Sequence, residues 1–319
     1  MKMSVRLAAF AAAAILASVS QANAQKIETL RVTYVAAPFN VPSIVMRAKG
    51  YLDEAYRPLG IRVESPEITS GAQQMQALAA GEVHIASVLG GSSAILGRAN
   101  GIDVKAIATY SRGAKAYMIM TRADGPGTIA TLKGKTVAGP KGTVLHQLLA
   151  AALAKNGLRL TDVEHVNMDL PSARAALLAG KVDAATLAGN NALAVEKSGG
   201  RAIASGDGLL DPTAVIAVRG ELLDKHPQIV AAYLVAHRKA LAFMKAEPEE
   251  ALKLAAADQK IDIEDARKML TYYDFALRVT DRDVANLAAD QDFMIEAGML
   301  RNRIDIRKDL IAPSAFALE

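Results

Sequence analysis

The sequence predicts an α/β protein of two lobes with a ligand cleft between them. Three observations lead there. Short apolar runs alternate with helical patterns along the chain, the signature of βαβ units and parallel-rich sheets. The turn-rich stretch Ala123-Asp124-Gly125-Pro126-Gly127 interrupts the pattern, which then restarts. A second break runs from Ser205-Gly206-Asp207-Gly208 to Asp211-Pro212 and encloses the restarted block. A block enclosed in this way is expected to be one lobe inserted into another, joined by two crossovers; two consecutive domains are the alternative.

The elements follow in order. Lys2 and Arg6 form a short basic region, residues 7–19 are thirteen apolar or small residues, and Ala22-Asn23-Ala24 ends in an A-x-A site. That is the build of a secretory leader cleaved after Ala24, and the apolar run is shorter than the roughly 20 residues a membrane span needs. Export without a lipid anchor points to the periplasm. Residues 30–35 read as a strand, 41–48 as a helix ending at Gly50, and 61–68 as a second strand. Ser70-Gly71 opens a helix stopped by Gly81, residues 83–89 form a strand, and Gly90-Gly91-Ser92-Ser93 opens the next helix. Strands are expected at 104–110 and 116–121. The enclosed block carries strands at 136–138, 164–168, 182–187 and 201–204, with helices at 144–156, 172–179 and 191–197. A strand at 214–218 follows the second break, and beyond Gly220 the chain reads as mostly helical, with Pro227 at a helix start. The expected division is therefore 1–24 leader, 25–121 first part of lobe one, 122–212 lobe two, and 213–319 the return to lobe one.

Composition excludes several chemistries. The chain has no cysteine, which removes disulfides, thiolate metal sites and a cysteine nucleophile. Formal charge is +4, falling by two when Lys2 and Arg6 leave, and no run of five like charges occurs. With 4% aromatic residues and no tryptophan, a basic stripe with stacking platforms for nucleic acid is not expected. His84, His146, His165, His226 and His237 show no metal-ligand spacing, so neither metal nor cofactor is expected.

Two motif-like strings carry little. Gly125-Pro126-Gly127-Thr128-Ile129-Ala130 has the spacing of a dinucleotide loop, but Pro126 stiffens it and no acidic residue sits at the required offset. Gly90-Gly91-Ser92-Ser93-Ala94 resembles a nucleophile elbow, but His226 lies in a Lys-His-Pro turn and His237 on a helix.

The stronger signal is a repeated form. Thr69-Ser70-Gly71, Gly90-Gly91-Ser92-Ser93 and Gly142-Thr143 each follow a strand and open a helix. Each is an N-cap with exposed N–H groups, and termini of this kind converging in a cleft would hold an anion; as single features they are ordinary caps. His146 lies in the first turn after Thr143. Arg112, after a strand end, is a candidate partner for a ligand's acid group or a solvated loop residue.

The string from Thr69-Ser70-Gly71-Ala72 to Ala77-Leu78-Ala79-Ala80-Gly81-Glu82-Val83 resembles the solute-binding proteins of sulfonate, taurine and nitrate ABC importers. So do Leu132-Lys133-Gly134-Lys135-Thr136-Val137-Ala138, Val166-Asn167-Met168, Ala173-Arg174-Ala175-Ala176 and Ala179-Gly180-Lys181-Val182-Asp183-Ala184. His226-Pro227, Gln291-Asp292-Phe293 and Gly298-Met299-Leu300 continue the likeness. The resemblance implies a type II periplasmic-binding fold that closes on its ligand, acts as a monomer, and delivers to a permease with an ATPase subunit. It places ligand contacts on Ala37, Pro38, Phe39 and Asn40, on Ser70, on Gly91 and Ser92, on Thr143, and on the loop after residues 182–187. There the family often has a proline beside an aromatic residue, whereas this chain has Gly189-Asn190-Asn191. Asn190 and Asn191 donate and accept, so hydrogen bonding rather than stacking is expected. A related branch binds or makes a thiamine pyrimidine. Its enzymes use cysteine, absent here, and a heterocycle binder would draw on Tyr34, Phe39 and Tyr110.

Overall fold

The computed structural model describes residues 27–35 and 38–318, so the leader, its cleavage point and Ala37 lie outside the described residues. The strands are β1 (Thr29–Arg31), β2 (Arg62–Glu64), β3 (Ile85–Gly90), β4 (Val104–Arg112), β5 (Tyr117–Thr121), β6 (Thr136–Gly139), β7 (Glu164–Asn167), β8 (Ala184–Ala188), β9 (Arg201–Ser205) and β10 (Thr213–Arg219). The helices of the first half are α1 (Val41–Ala48), α2 (Tyr51–Tyr56), α3 (Gly71–Ala80), α4 (Gly91–Ala99), α5 (Val144–Lys155) and α6 (Leu170–Leu178). They continue with α7 (Asn190–Lys197), α8 (Gly220–Lys225), α9 (Pro227–Ala246), α10 (Pro248–Gln259), α11 (Ile263–Leu270) and α12 (Asp281–Glu296).

Two sheets have the same order. In the first, β1 lies parallel to β2 and, through a Val32–Ile85 bridge, to β3; β10 then runs antiparallel between β3 and β4. In the second the order is β7-β6-β8-β5-β9, with β6 parallel to both neighbours and β5 antiparallel to both of its own. Each sheet is thus mixed, and its antiparallel strand is the one that has just crossed from the other sheet.

Strand alternation explains the layers. Along β10, Val215 and Ala217 face a core with Leu78, Ile95 and Leu287, while Ile216 and Val218 face one with Val45, Tyr233 and Leu252. Helices therefore cover both faces, α3, α4 and α12 on one and α1, α9 and α10 on the other. Along β5, Ile119 packs with Leu148 and Leu149 of α5, and Met118 and Met120 with Ala173 and Leu177 of α6. Each fully buried aliphatic side chain contributes about 1.5–3 kcal/mol, and a one-residue slip would turn every one of them to the wrong layer.

Some boundaries differ from the sequence pattern. β5, placed in lobe one by the break after Arg122, pairs with β8 and β9 in the second sheet. The glycine-rich break is only a surface turn, whereas the chain crosses earlier, around Gly113. Gly50 ends α1 as expected, and at φ +66° it leads directly into α2. The C-terminal region is helical through α12 except for residues 271–280, which lie along β4: Thr109 N–H donates to the Leu277 carbonyl, and Arg112 and Asp274 form a bridge.

Arg112 holds that segment down. Its Nε and Nη2 donate to the two oxygens of Asp283 at 2.6 and 2.7 Å, Nη1 to Asp274 at 3.1 Å, and Nη2 to the Arg278 carbonyl at 2.9 Å. Burial alone would push the Asp283 carboxyl up, but hydrogen bonds from Arg112 and Thr280 hold it below its ordinary value. The Asp283 side chain is fully buried. Arg112→Met should therefore leave an uncompensated buried carboxylate and destabilise the protein by about 3–5 kcal/mol, measured by urea unfolding; a loss under about 1 kcal/mol would show that the pair does not fasten the segment.

Candidate functional site

The carboxyl ends of β1, β3, β6 and β8 lead to the starts of α1, α4, α5 and α7, the end of such a sheet at which ligands collect. Ser70 caps α3 by accepting from the Gln73 N–H at 3.5 Å. Behind it, buried Gln74 donates to the Val88 carbonyl at 3.0 Å, and Ser87 N–H donates to the Thr33 hydroxyl at 3.0 Å, fixing α3 against β1 and β3. The first turns of α3 and α4 touch: a Cβ on Gly71 would stand 2.2 Å from the Ser93 hydroxyl. Gly91 is equally constrained, because a Cβ there would stand 2.7 Å from the Thr213 carbonyl and 2.4 Å from Leu287 Cδ2. Ser92 is buried beside it in the first turn of α4. In the second lobe Thr143 caps α5, accepting from the Leu145 N–H at 3.2 Å and donating to the Pro140 carbonyl at 2.9 Å.

Other expected contacts are engaged within the protein. The Pro38 carbonyl presses on Gly189, where a Cβ would stand 2.3 Å away and φ is +58°. Phe39 is fully buried, its ring 6.4 Å from Tyr273, and Asn40 donates to the Val35 carbonyl at 2.9 Å. Asn191 donates to Asn190 at 3.2 Å, Asn190 to Gln259 of α10 at 3.4 Å, and Gln259 to Asp258 at 2.9 Å, where Tyr34 also donates at 2.7 Å. Pro38 and Asn190 thus join the two lobes directly, and Asn191 holds Asn190. His146 stacks on His165 with centroids 4.7 Å apart, and its Nδ1 accepts from the Gly142 N–H at 3.4 Å. Burial, with Lys141 nearby, lowers the His146 pKa, and burial together with His146 pushes His165 down to about 4, so both rings are neutral packing groups at pH 7. Arg112 is not free to meet an anion as the sequence suggests: all three guanidinium nitrogens donate to the 274–283 segment and Thr109, a structural role.

Beside these helix starts lies a cavity of about 400 Å³, bounded by α5, α12 and the loop of the second crossover. That is the size of a small-molecule site. Two of its residues, Gln147 and Asp290, are not among those the sequence pattern singles out. Gln147 Nε2, in the first turn or so of α5, donates to Asp290 Oδ1 of α12 at 2.7 Å, and both side chains are buried. Asp290 Oδ2 stands 3.8 Å from the position of a Gly91 Cβ, at the start of α4. Burial pushes the Asp290 carboxyl up to about 6, against the opposing hydrogen bond from Gln147. A signal for it did exist: Leu287, Gln291 and Met294 form the buried stripe of α12, and Asp290 sits at a position of that stripe.

A family model described as NMT1/THI5 like matches residues 38–251. The chain belongs to the NMT1/THI5-like family. Among family-related proteins, a putative aliphatic sulfonates-binding protein of Bacillus subtilis (strain 168) is 28% identical over 275 residues, covering 85% of this chain and 82% of its own. The solved alkanesulfonate-binding protein SsuA from Xanthomonas axonopodis pv. citri, bound to MOPS, superposes with a TM-score of 0.81 at 21% identity, over 91% of this chain and all of its own. A variant of DSZB in complex with biphenyl-2-sulfinic acid superposes with a TM-score of 0.68 at 17% identity, over 91% of this chain and 97% of its own. The periplasmic-binding fold is therefore shared by this chain, binding proteins and an enzyme; DSZB is described as a desulfurization enzyme.

Two expected outcomes follow from the site. The folded state holds a proton on Asp290 up to about pH 6 that the unfolded chain releases near 3.8, so this group's contribution falls as pH rises through that window. Asp290→Asn should therefore raise stability at pH 7.5, by up to about 3 kcal/mol, and flatten the profile between pH 4 and 6 in thermal melts; an unchanged profile would remove the buried-carboxylate account. Gly189→Ala should hold the lobes apart through strain at positive φ and the Pro38 carbonyl, seen as a larger radius of gyration in solution scattering, and an unchanged radius would exclude this contact as part of closure.

Proposed function

We propose that this protein is the extracytoplasmic solute-binding receptor of an ABC importer, capturing one small organic acid per monomer, of the sulfonate or taurine-like class, by closure of two lobes. The observation that carries the reading is a ligand-sized cavity lined by Gln147 at the capped start of α5 and by Asp290, whose carboxylate reaches the start of α4. Unsatisfied N–H groups at such termini attract an acid group without a fixed cation. Relatives named as sulfonate-binding proteins support the ligand class, as does a taurine-binding periplasmic protein of Escherichia coli (strain K12), 31% identical over 183 residues.

The closed complex would then be delivered to a membrane permease with a cytoplasmic ATPase, from the periplasm reached by the leader that ends at Ala24. Binding without turnover is supported by the residue inventory: the DSZB complex is of a cysteine-to-serine variant, and this chain contains no cysteine at all. The rings that a heterocycle would need are engaged. Tyr110 bonds Ser43 at 3.1 Å and packs edge-on against Phe275, and Arg47 covers Tyr34.

Calorimetric titration of the purified mature protein with short alkyl sulfonates, aminoalkyl sulfonates, carboxylates and pyrimidines tests the proposal. One-to-one binding of an acid, lost when Thr143→Pro alters the start of α5, is the expected result. Binding of a pyrimidine alone, or hydrolysis of an ester substrate, would overturn it.

A further inference from the structure

The cavity between α5 and α12 has a charge character opposite to that of the helix starts beside it. Three carboxylates line it, Asp207, Asp211 and Asp290, against one guanidinium, Arg282. The two outer carboxylates have cations of their own: Asp211 accepts from Arg282 Nε at 3.0 Å, and Asp207 lies 3.9 Å from Lys115, all on exposed side chains. Asp290 differs. It is 5% exposed, its one hydrogen bond comes from the neutral amide of Gln147 to Oδ1, and no cation pairs with it among the described residues. Its Oδ2 accepts no hydrogen bond from the described residues.

A buried carboxylate without a cation is costly, and proteins retain it only where something compensates. The same helix shows what compensation looks like, since Asp283, two turns earlier, is equally buried and receives a bidentate arginine. Gln147 orients Asp290 from the opposite lobe, so the free oxygen is held in place only when the lobes are together.

We propose that Asp290 is the counter-ion for a protonated amine, so that the solute this receptor takes is zwitterionic, with an amine in the cavity and an acid group at the starts of α4 and α5. The inference rests on the receptor reading above and narrows it to one substrate class. An ammonium group would supply the missing charge partner to Oδ2 through a charge-assisted hydrogen bond at a buried oxygen. Its spacing from the acid group would be short, because Asp290 Oδ2 stands only 3.8 Å from the Cβ direction of Gly91, the first residue of α4.

Matched pairs decide it: 3-aminopropanesulfonate against propanesulfonate, 4-aminobutyrate against butyrate, and propylammonium as the amine alone, titrated by calorimetry into the mature protein and into Asp290→Asn. Melting curves confirm that the variant is folded. The aminated acids are expected to bind at least about tenfold more tightly than their plain counterparts, with the difference lost in Asp290→Asn. Equal affinity for plain and aminated acids would overturn the amine site and leave the receptor reading intact. Discrimination that survives in Asp290→Asn would also overturn it. Propylammonium binding with neither acid series binding would overturn the zwitterion and the acid reading together, and no binding by any probe would overturn both proposals.

Discussion

Each sheet is completed by a strand that arrives from the other. β10 returns from the second lobe to lie between β3 and β4, and β5 leaves the first lobe to lie between β8 and β9. Because the exchanged strand is interior, hydrogen-bonded on both edges and buried on both faces, neither sheet can complete its order without the opposite crossover. The chain passes between the sheets only around Gly113 and around residues 206–212 among the described residues. Helix starts also lie close together: Gly71 of α3 lies against Ser93 of α4, and Gly189 before α7 lies against Pro38.

Helix α12 shows how one fold treats two buried acids differently. Asp283 and Asp290 lie seven residues apart on the same face, each nearly free of solvent. Asp283 is held below its ordinary pKa once Arg112 and Thr280 reach it, and it locks the C-terminal segment to β4. Asp290 has only Gln147, and its carboxyl is pushed up. The first arrangement is a fastening. The second stores an unmet electrostatic demand in the lobe interface, at a cost of a few kcal/mol by its own pKa. A demand of that kind, beside a ligand-sized cavity, is where a functional group is expected.

The lobes meet through polar contacts of the same economy. The chain of amides and acids from Asn191 through Asn190, Gln259 and Asp258 to Tyr34 spans both lobes, and Gly189 accepts the Pro38 carbonyl where no side chain would fit. Pro38 and Asn190, which the family resemblance places near a ligand, serve the contact between lobes. Lys197 with Asp262, and Lys268 with Glu196, add ion pairs at the exposed rim, each worth little alone.

Much of the architecture was legible in the chain because the forces that set it are local. The caps Ser70 and Thr143, the stop at Gly81 and the alternation along β10 are short-range patterns, and the helices and strands appear within a few residues of where those patterns put them. The break after Arg122 misled for the same reason: a surface turn and a domain crossing look alike locally, and only the pairing of β5 separates them. The partners of charged groups were beyond such reading. Arg112 meets Asp283 across 171 residues of sequence, and Gln147 meets Asp290 across 143. By itself the sequence determined the fold class, the family and where the helices begin. Which acid is neutralised and which is left waiting was decided by tertiary packing, because charge compensation depends on distance in space and solvent exclusion, and neither is written in the spacing of residues along the chain.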